Sequence, residues 1–165
     1  MDNIILIGMP GCGKSTAGVV LAKVLGYGFI DSDLVIQEHE GKRLNEILDS
    51  VGPWGFNKIE DDINAGIMAE KTVIATGGSA VYGKKAMKHF SDSGKIVYLE
   101  LSAAEIEKRV GSIEDRGISI EEGMDIRALY EERKPLYEKY ADVTVNTEGL
   151  DIPRTVEAII DALEK

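Results

Sequence analysis

A glycine-rich stretch near the N-terminus, GMPGCGKST at residues 8–16, constrains the fold more than any other feature of the chain. It matches the pattern G-x-x-x-x-G-K-[ST], with Gly8, Gly13, Lys14 and Ser15 at the defining positions. Glycines let the backbone turn so that successive N–H groups point at a polyphosphate, and the positive end of a following helix adds to the attraction. An apolar run precedes the stretch and an amphipathic run follows it, which predicts a strand, a phosphate-binding loop and a helix in that order.

The residue types of this loop also indicate its chemistry. Lys14 supplies a cation to the β- and γ-phosphates of a nucleotide, and the Ser15 hydroxyl ligates Mg²⁺. The string GCGKST comes close to a dinucleotide-binding fingerprint, but Thr16 stands where that fingerprint has a small residue, and a Lys-Ser pair has no role in it. Cys12 fits as a small loop residue, with a redox role as the alternative. We therefore predict ATP and Mg²⁺ as ligands. The predicted nucleotide-binding residues of the loop are Gly11, Cys12, Gly13, Lys14, Ser15 and Thr16.

Short β-branched runs alternate with longer amphipathic runs along the rest of the chain. The predicted strands are residues 4–7, 28–30, 73–75, 95–99 and 143–145. The predicted helices are residues 14–25, 44–50, 55–70, 84–90, 103–110, 125–139 and 152–164. Apolar strands separated by helices are typical of a parallel sheet that helices cover on both faces. Because the 165 residues contain no repeat, linker or composition break, we expect one α/β domain over residues 1–165.

Charge and cysteine content argue against several classes of function. A net charge of −10 disfavours nucleic acid or an anionic membrane as the main partner, although a local basic pocket can still bind a small anion. One cysteine cannot form an internal disulfide or a cysteine-based metal cage, which favours a reducing, cytoplasmic location. No stretch reaches the roughly 18 apolar residues of a membrane span, and the acidic N-terminal residues do not have the pattern of a signal peptide.

Two carboxylates follow the second predicted strand, in the sequence FIDSD at residues 29–33. In extended chain Asp31 and Asp33 point to the same side, at the sheet edge where the phosphate-binding loop also lies. One carboxylate there can hold the water shell of Mg²⁺, and a second can accept a hydrogen bond from a substrate hydroxyl and take its proton. Alternatively, Ser32 or Asp33 caps a helix over the following LVIQEHE.

Three further stretches have the composition of binding elements. Gly77 and Gly78 follow the third predicted strand, where they either let a ligand approach the backbone or form a tight turn. Arg133, near the end of a predicted helix, either binds a substrate carboxylate with its guanidinium fork or pairs with a glutamate on an exposed surface. The polar segment 111–123 is either a solvated loop or a mobile lid that carries Arg116.

Together these motifs resemble the shikimate kinase family. Five stretches occur in that family's order and approximate spacing over nearly the whole chain: the phosphate-binding loop, DSD, GF with a glutamate four residues after the phenylalanine, ATGG, and ERKPLYEKYADVTV. The resemblance implies a three-layer P-loop kinase fold of the nucleoside monophosphate kinase type, with a five-stranded parallel sheet and a short lid over 111–123. It also implies a cytosolic monomer that transfers the γ-phosphate of ATP to the 3-hydroxyl of shikimate.

The resemblance also assigns roles to individual residues. The implied catalytic residues are Lys14, Asp33 and Arg116. The implied metal ligands are Ser15 and Asp31. The implied substrate-binding residues are Asp33, Asn57, Gly77, Gly78 and Arg133. Arg109 matches an arginine that stacks over adenine, although a surface position on its helix fits the sequence nearly as well.

The departures from the family lie on the acceptor side. Asn57 follows Phe56 where the family has an arginine that forms a second clamp on the substrate carboxylate, and Glu60 stands where a glutamate would support that arginine. Loss of a charge-assisted hydrogen bond costs roughly 1.5–3 kcal/mol, or about ten- to hundredfold in affinity. Lys58 is a poor substitute because adjacent helical residues point about 100° apart. Ser79 replaces the third glycine that usually follows the strand, which predicts a tighter or more polar pocket wall.

Three hypotheses of function remain open on this basis. The first is a shikimate kinase with a one-arginine clamp. The second is a related kinase for another small polyol or hydroxy acid, and the third is a nucleotide-binding regulatory protein that has no acceptor. Release of ADP that depends on shikimate favours the first, a different preferred acceptor the second, and tight ATP binding without transfer the third.

Overall fold

The computed structural model describes residues 2–111 and 117–165. The strands in these ranges are β1 Asn3–Ile7, β2 Gly28–Asp31, β3 Thr72–Ala75, β4 Gly94–Glu100 and β5 Val143–Asn146. The α-helices in the same ranges are α1 Lys14–Leu25, α2 Ser32–Glu40, α3 Leu44–Ala65, α4 Lys84–Ser93, α5 Ala103–Val110, α6 Ile126–Tyr140 and α7 Ile152–Glu164. A 3-10 helix, Gly78–Tyr82, follows β3. None of the helices in the described ranges has the length and apolarity that crossing a membrane would need.

The five strands form one parallel sheet in the order β2-β3-β1-β4-β5. At the centre, Ile5 of β1 lies opposite Ile74 of β3 and Ile96 of β4. Every residue of β1 and β3 is buried, and because alternate strand residues point to opposite faces, both faces of the sheet are covered. The predicted α/β fold with a five-stranded parallel sheet is confirmed. Parallel pairing brings the carboxyl ends of β1, β2 and β3 to one edge.

Helices α2 and α3 have a small apolar cluster of their own, apart from the main core around the sheet. Ile36, Ile47 and Phe56 are its buried members. This cluster fixes α3 against α2, which in turn follows directly from the end of β2. The side chains of α3 are therefore held beside the carboxyl edge of the sheet.

Helix α2 is missing from the helices predicted by periodicity, and its cap differs from the one considered. The cap is Asp31, whose Oδ1 accepts a hydrogen bond from the backbone N–H of Asp33 at 3.0 Å, rather than Ser32 or Asp33. Strand β2 ends at Asp31, so Asp33 lies in the first turn of α2 and not in extended chain. A helix so short, with a polar sequence after its first residues, shows little apolar periodicity.

Helix α3 joins the predicted helix 44–50 to most of the predicted helix 55–70. Gly52, with φ 72° and ψ 174°, interrupts the helical backbone inside the predicted gap. Pro53 follows and starts the second part of the helix, where its missing N–H costs nothing because the first N–H groups of a helix have no intrahelical acceptor. The helix ends at Ala65, earlier than predicted, because Gly66 and the following residues lead into β3.

Candidate active site

The phosphate-binding loop joins β1 to α1 in a conformation that depends on its glycines. Gly11 has φ 80° and Gly13 has φ 95°, in the left-handed region that favours glycine. Lys14 is buried, and its Nζ donates to the carbonyl oxygens of Gly8 at 2.8 Å and Met9 at 2.9 Å. The ammonium group is thus held inside the curve of the loop, next to the positive end of α1.

The two predicted metal ligands are in contact. The Ser15 hydroxyl donates to Asp31 Oδ2 at 2.9 Å, which links the start of α1 to the end of β2. Mg²⁺ takes only one or two protein oxygens and keeps several waters, so this pair of oxygens beside a phosphate-binding loop fits it. In residues 2–111 and 117–165 no group of three or more His, Cys, Asp or Glu side chains could hold a metal by itself. The Ser15–Asp31 pair leaves the other positions around Mg²⁺ to waters and phosphate oxygens, so it suits a metal shared with a nucleotide.

Two carboxyl groups converge on Gly77 at the end of β3. A Cβ placed on Gly77 would lie 2.7 Å from Asp33 Oδ1 and 2.8 Å from Glu60 Oε2. Burial, and then the Asp31 carboxylate, raise the pKa of Asp33 to about 6. Burial is also the main reason that the pKa of Glu60 is raised to about 8. At neutral pH Asp33 is therefore mostly ionised, and Glu60 is mostly protonated.

Glu60 is in contact with one of the departures from the family, Ser79. Its Oε1 accepts a hydrogen bond from the Ser79 hydroxyl at 2.6 Å, and its Oε2 has no hydrogen-bond partner among the described residues. The Ser79 hydroxyl thus gives the carboxyl group a neutral partner in a chain that has Asn57 where the family has an arginine. Burial favours the protonated form of Glu60 and outweighs the Ser79 hydrogen bond, which by itself lowers the pKa of the carboxyl group.

Gly77 and Gly78 form a turn that leaves no room for side chains. A Cβ on Gly78 would lie 2.8 Å from both Arg133 Nη1 and Pro10 Cδ. The Tyr137 hydroxyl of α6 donates to the Gly78 carbonyl at 2.7 Å and holds the turn from behind. The two readings of these glycines are compatible, because a tight turn at this point also lets ligands approach the backbone.

Arg133 is buried on α6, with 1% of its surface exposed, so it is not the surface arginine considered as an alternative. Its Nη2 donates to the carbonyl oxygen of Ser119 at 2.5 Å, and its Nε donates to the Tyr82 hydroxyl at 3.4 Å. The guanidinium carbon also lies 5.4 Å from the centre of the Tyr82 ring. Within the described ranges its hydrogen-bond partners are neutral oxygens, so the buried cation can still accept an anionic ligand.

These groups surround a cavity of about 400 Å³ between the phosphate-binding loop, the glycine turn, α3 and α6. The predicted site residues that line it are Gly11, Gly13, Lys14, Ser15, Thr16, Asp33, Gly77, Gly78 and Arg133. The fold thus brings the predicted nucleotide end and the predicted acceptor end into one space. A phosphate donor and an alcohol acceptor bound there would lie close enough for direct transfer.

Asn57 lies beside this cavity but does not line it. It lines a second, small cavity of about 10 Å³ with Trp54 and other side chains, and its Oδ1 accepts a hydrogen bond from the Ser119 hydroxyl at 2.9 Å. Lys58 is exposed, as the helical spacing predicts, and does not replace the missing arginine. The implied role of Asn57 in substrate binding stays a prediction.

Two other predicted residues, Cys12 and Arg109, do not line the cavity. Cys12 is buried at the base of the loop, where it fits as a small side chain. Arg109 is exposed on α5, and its Nη1 donates to the carbonyl oxygen of Gly11 at 3.5 Å, so it stands at the outer edge of the loop. Arg116, the predicted lid arginine, lies outside the described residues.

Sequence reasoning does not single out several residues that shape the acceptor end. Phe56, Ile118 and Ser119 line the cavity, and Tyr82 holds Arg133 from the far side. The alternation Ile118-Ser119-Ile120 inside a polar segment is a signal that could have indicated a buried stretch. Ile118 and Ser119 are indeed buried, so this part of the predicted lid packs against the body of the protein.

Comparison with known proteins gives consistent results. A model of the shikimate kinase family matches residues 10–164. A curated shikimate kinase from Francisella tularensis subsp. novicida is 40% identical over 161 residues, which cover 95% of this chain and 92% of the relative. A solved shikimate kinase from Acinetobacter baumannii in complex with shikimate has a TM-score of 0.88 at 27% identity, over 99% of this chain and 93% of that chain. The solved shikimate kinase from Aquifex aeolicus has a TM-score of 0.82 at 28% identity, over 98% and 96% of the two chains.

Proposed function

The chain belongs to the shikimate kinase family, and we propose that it transfers the γ-phosphate of ATP to the 3-hydroxyl of shikimate. It is a phosphotransferase that acts on an alcohol group. The observation that carries the choice of acceptor is the cavity, in which Asp33 and the buried Arg133 face the same space as the phosphate-binding loop. A polyhydroxylated carboxylic acid offers a hydroxyl to the first and an anion to the second.

On the nucleotide side, the residues Gly11 to Thr16 bind the phosphates. Backbone N–H groups of the loop and the start of α1 face the polyphosphate, and Lys14 reaches the β- and γ-phosphates. Ser15 and Asp31 would hold Mg²⁺, which neutralises charge on the β- and γ-phosphates when it is bound. Arg109, at the edge of the loop, covers the adenine.

On the acceptor side, Asp33 orients the attacking hydroxyl and takes its proton. A pKa of about 6 makes the carboxylate available at neutral pH and keeps it a better base than an ordinary aspartate. Gly77 and Gly78 form the wall against the ring of the acceptor, and Arg133 binds its carboxylate. Transfer is direct and in line, because phosphoryl transfer needs chiefly alignment and neutralisation of charge.

Further parts of the proposal concern the lid and the cellular setting. Arg116 brings a second cation to the transferring phosphate and, with the segment 111–123, excludes water from it. The protein acts as a cytoplasmic monomer, and its partners are small molecules rather than nucleic acid or membranes, in keeping with its net charge of −10.

The test is an ADP-release assay with ATP, Mg²⁺ and shikimate at millimolar concentration, with the phosphorylated product identified by phosphorus NMR. Release that requires shikimate, together with a shikimate monophosphate signal, is the expected result. The control is Asp33→Asn, which should still bind ATP but form no product, because it can no longer take the hydroxyl proton. Folded wild-type protein that releases no ADP with shikimate would refute the proposal.

A second acceptor class is favoured by one observation. Arg133 is the one guanidinium among the cavity-lining residues in the described ranges, and Asn57 offers no second charge. The same assay should therefore also include other hydroxy acids, and polyols that have no carboxylate. If one of these has a higher kcat/KM than shikimate, the protein is a kinase for that compound, and ATP binding without transfer to any acceptor indicates a regulatory protein.

A further inference from the structure

Arg133 has an unusual setting for a buried cation. It is 1% exposed, and its shortest hydrogen bond within the described ranges goes to a backbone carbonyl, that of Ser119, at 2.5 Å. The Tyr82 hydroxyl lies farther away, at 3.4 Å from Nε. Nη1 lies against Gly78 at the cavity wall. Because the guanidinium group is planar, the hydrogen bond that holds Nη2 also fixes the direction in which Nη1 faces the cavity. The position of Ser119 therefore decides where the guanidinium points.

Ser119 is itself held by α3 through its side chain. Its hydroxyl lies 2.9 Å from Asn57 Oδ1 and 3.3 Å from the carbonyl oxygen of Pro53. A hydroxyl has one proton, and the shorter distance makes Asn57 the main acceptor. Asn57 and Arg133 thus hold Ser119 from two sides, the first through the side chain and the second through the backbone.

The segment around Ser119 is seated on the same helix at two other points. Gly117 approaches Leu44 so closely that a Cβ on it would lie 2.7 Å from Leu44 Cβ. At the other end, the Trp54 indole N–H donates to Glu121 Oε1 at 2.7 Å. Residues 117–121 therefore form a strip across α3, in which Ser119 is the residue that contacts both Asn57 and Arg133.

We propose that Ser119 is a positioning residue for Arg133, and that Asn57 acts on acceptor binding through Ser119 rather than by touching the acceptor. Asn57 does not line the main cavity, whereas Ser119 and Arg133 both do. The amide at position 57 adds no charge to the site; it fixes the strip that orients the Arg133 guanidinium. This inference rests on the proposed function in one respect, since it takes Arg133 as the partner of the acceptor's anionic group.

Kinetics separate this role from a general structural one. Ser119→Ala and Asn57→Ala should each raise the KM for shikimate about three- to tenfold, the effect of one neutral hydrogen bond, with the KM for ATP changed less than twofold. Ser119→Thr keeps the hydroxyl and should restore most of the affinity. The matched control is Lys58→Ala, an exposed change on the next residue of the same helix, which should alter neither constant.

The double variant distinguishes an indirect role of Asn57 from a direct one. If Asn57 acts through Ser119, the pair of alanine substitutions should raise the KM for shikimate no more than either one alone. Multiplying effects would mean that Asn57 contacts the acceptor itself, and an unchanged KM in Ser119→Ala would overturn the inference.

A readout without any substrate keeps the inference separate from the proposed function. The Nε–H signal of the buried Arg133 in a ¹H–¹⁵N spectrum should shift in Ser119→Ala and in Asn57→Ala, but not in Lys58→Ala. An unmoved signal in the first two refutes the positioning role, whatever the enzyme phosphorylates. A moved signal in a protein that shows no transfer to shikimate supports the positioning role and refutes the proposed acceptor.

Discussion

Replacement of Glu60 by glutamine should make the stability of the protein less dependent on pH between 6 and 8. Glu60 is 1% exposed, and its Oε2 lacks a hydrogen-bond partner among the described residues while Asp33 stands nearby. Folding raises the pKa of this carboxyl group from 4.5 to about 8. Such a group contributes stability that is fully present below its unfolded pKa, near 4.5, and that is lost as the pH rises through about 8.

The size of the effect follows from the two pKa values. Between pH 6 and pH 8 the unfolded chain has already released this proton, whereas the folded protein releases it only towards the upper end. Integrating the difference in bound protons between the unfolded and folded states over that interval gives a loss of about 2 kcal/mol in the free energy of unfolding from Glu60 alone. Asp33, with a pKa of about 6, contributes mostly below this interval. Glutamine keeps an oxygen for the Ser79 hydroxyl and does not ionise, so it mimics the protonated form.

Urea unfolding of both proteins at pH 6 and pH 8 measures the effect. Between pH 6 and pH 8, wild type should lose about 2 kcal/mol more of its free energy of unfolding than Glu60→Gln does. In thermal unfolding the same difference corresponds to roughly 4–8 °C in Tm. Glu157→Gln, an exposed change on α7, is the matched control and should follow wild type. Equal pH slopes for wild type and Glu60→Gln would show that Glu60 is not protonated in the folded protein.

Three other predictions concern activity. The kcat/KM for shikimate should fall as the pH drops through about 6, because the Asp33 base must be ionised; a profile that stays flat to pH 5 contradicts its role. Gly78→Ala should raise the KM for shikimate tenfold or more with little change for ATP, because its Cβ would lie 2.8 Å from Arg133 Nη1 and Pro10 Cδ; an unchanged KM would mean that the acceptor does not use this wall. Chelation of Mg²⁺ should stop ADP release, and added Mg²⁺ should restore it in wild type but far less in Ser15→Ala; equal rescue would remove Ser15 from the metal site.

The fold could be predicted because the sequence patterns that indicate it are local. A phosphate-binding loop between a strand and a helix, and β-branched runs between amphipathic ones, determine an α/β domain without any knowledge of long-range contacts. The predicted strands lie within the observed ones, and α1 and α7 have the predicted bounds. Helix α2 was considered only as an alternative, as a capped helix over LVIQEHE, because nine residues with a polar second half carry little periodicity. Its cap, Asp31, is also the last residue of β2.

The nucleotide end of the site could also be predicted from the sequence. Lys14, Ser15 and Asp31 are read from short motifs, and the contact between Ser15 and Asp31 is what two parallel strands with a common carboxyl edge produce. The acceptor end was harder to predict because it depends on contacts between side chains that are far apart in the sequence. The sequence of a polar loop does not predict that the carbonyl of Ser119 accepts a hydrogen bond from Arg133. It also does not predict that Ser79 donates a hydrogen bond to Glu60.

Helix α6 has a consequence for how acceptor preference could change during evolution. Arg133 and Tyr137 are four residues apart, so they stand on one face of the helix about 6 Å apart along its axis. In the proposed function Arg133 binds the anion of the acceptor, and Tyr137 fixes the glycine wall through the Gly78 carbonyl. The spacing between these two boundaries is therefore set by one turn of helix, and Tyr137 at the C-terminal end of this turn is also stacked on Tyr98 of β4. New acceptors of similar length should arise by substitutions on the opposite side, in α3 and residues 117–121, while substitutions within this turn of α6 would alter both boundaries at once.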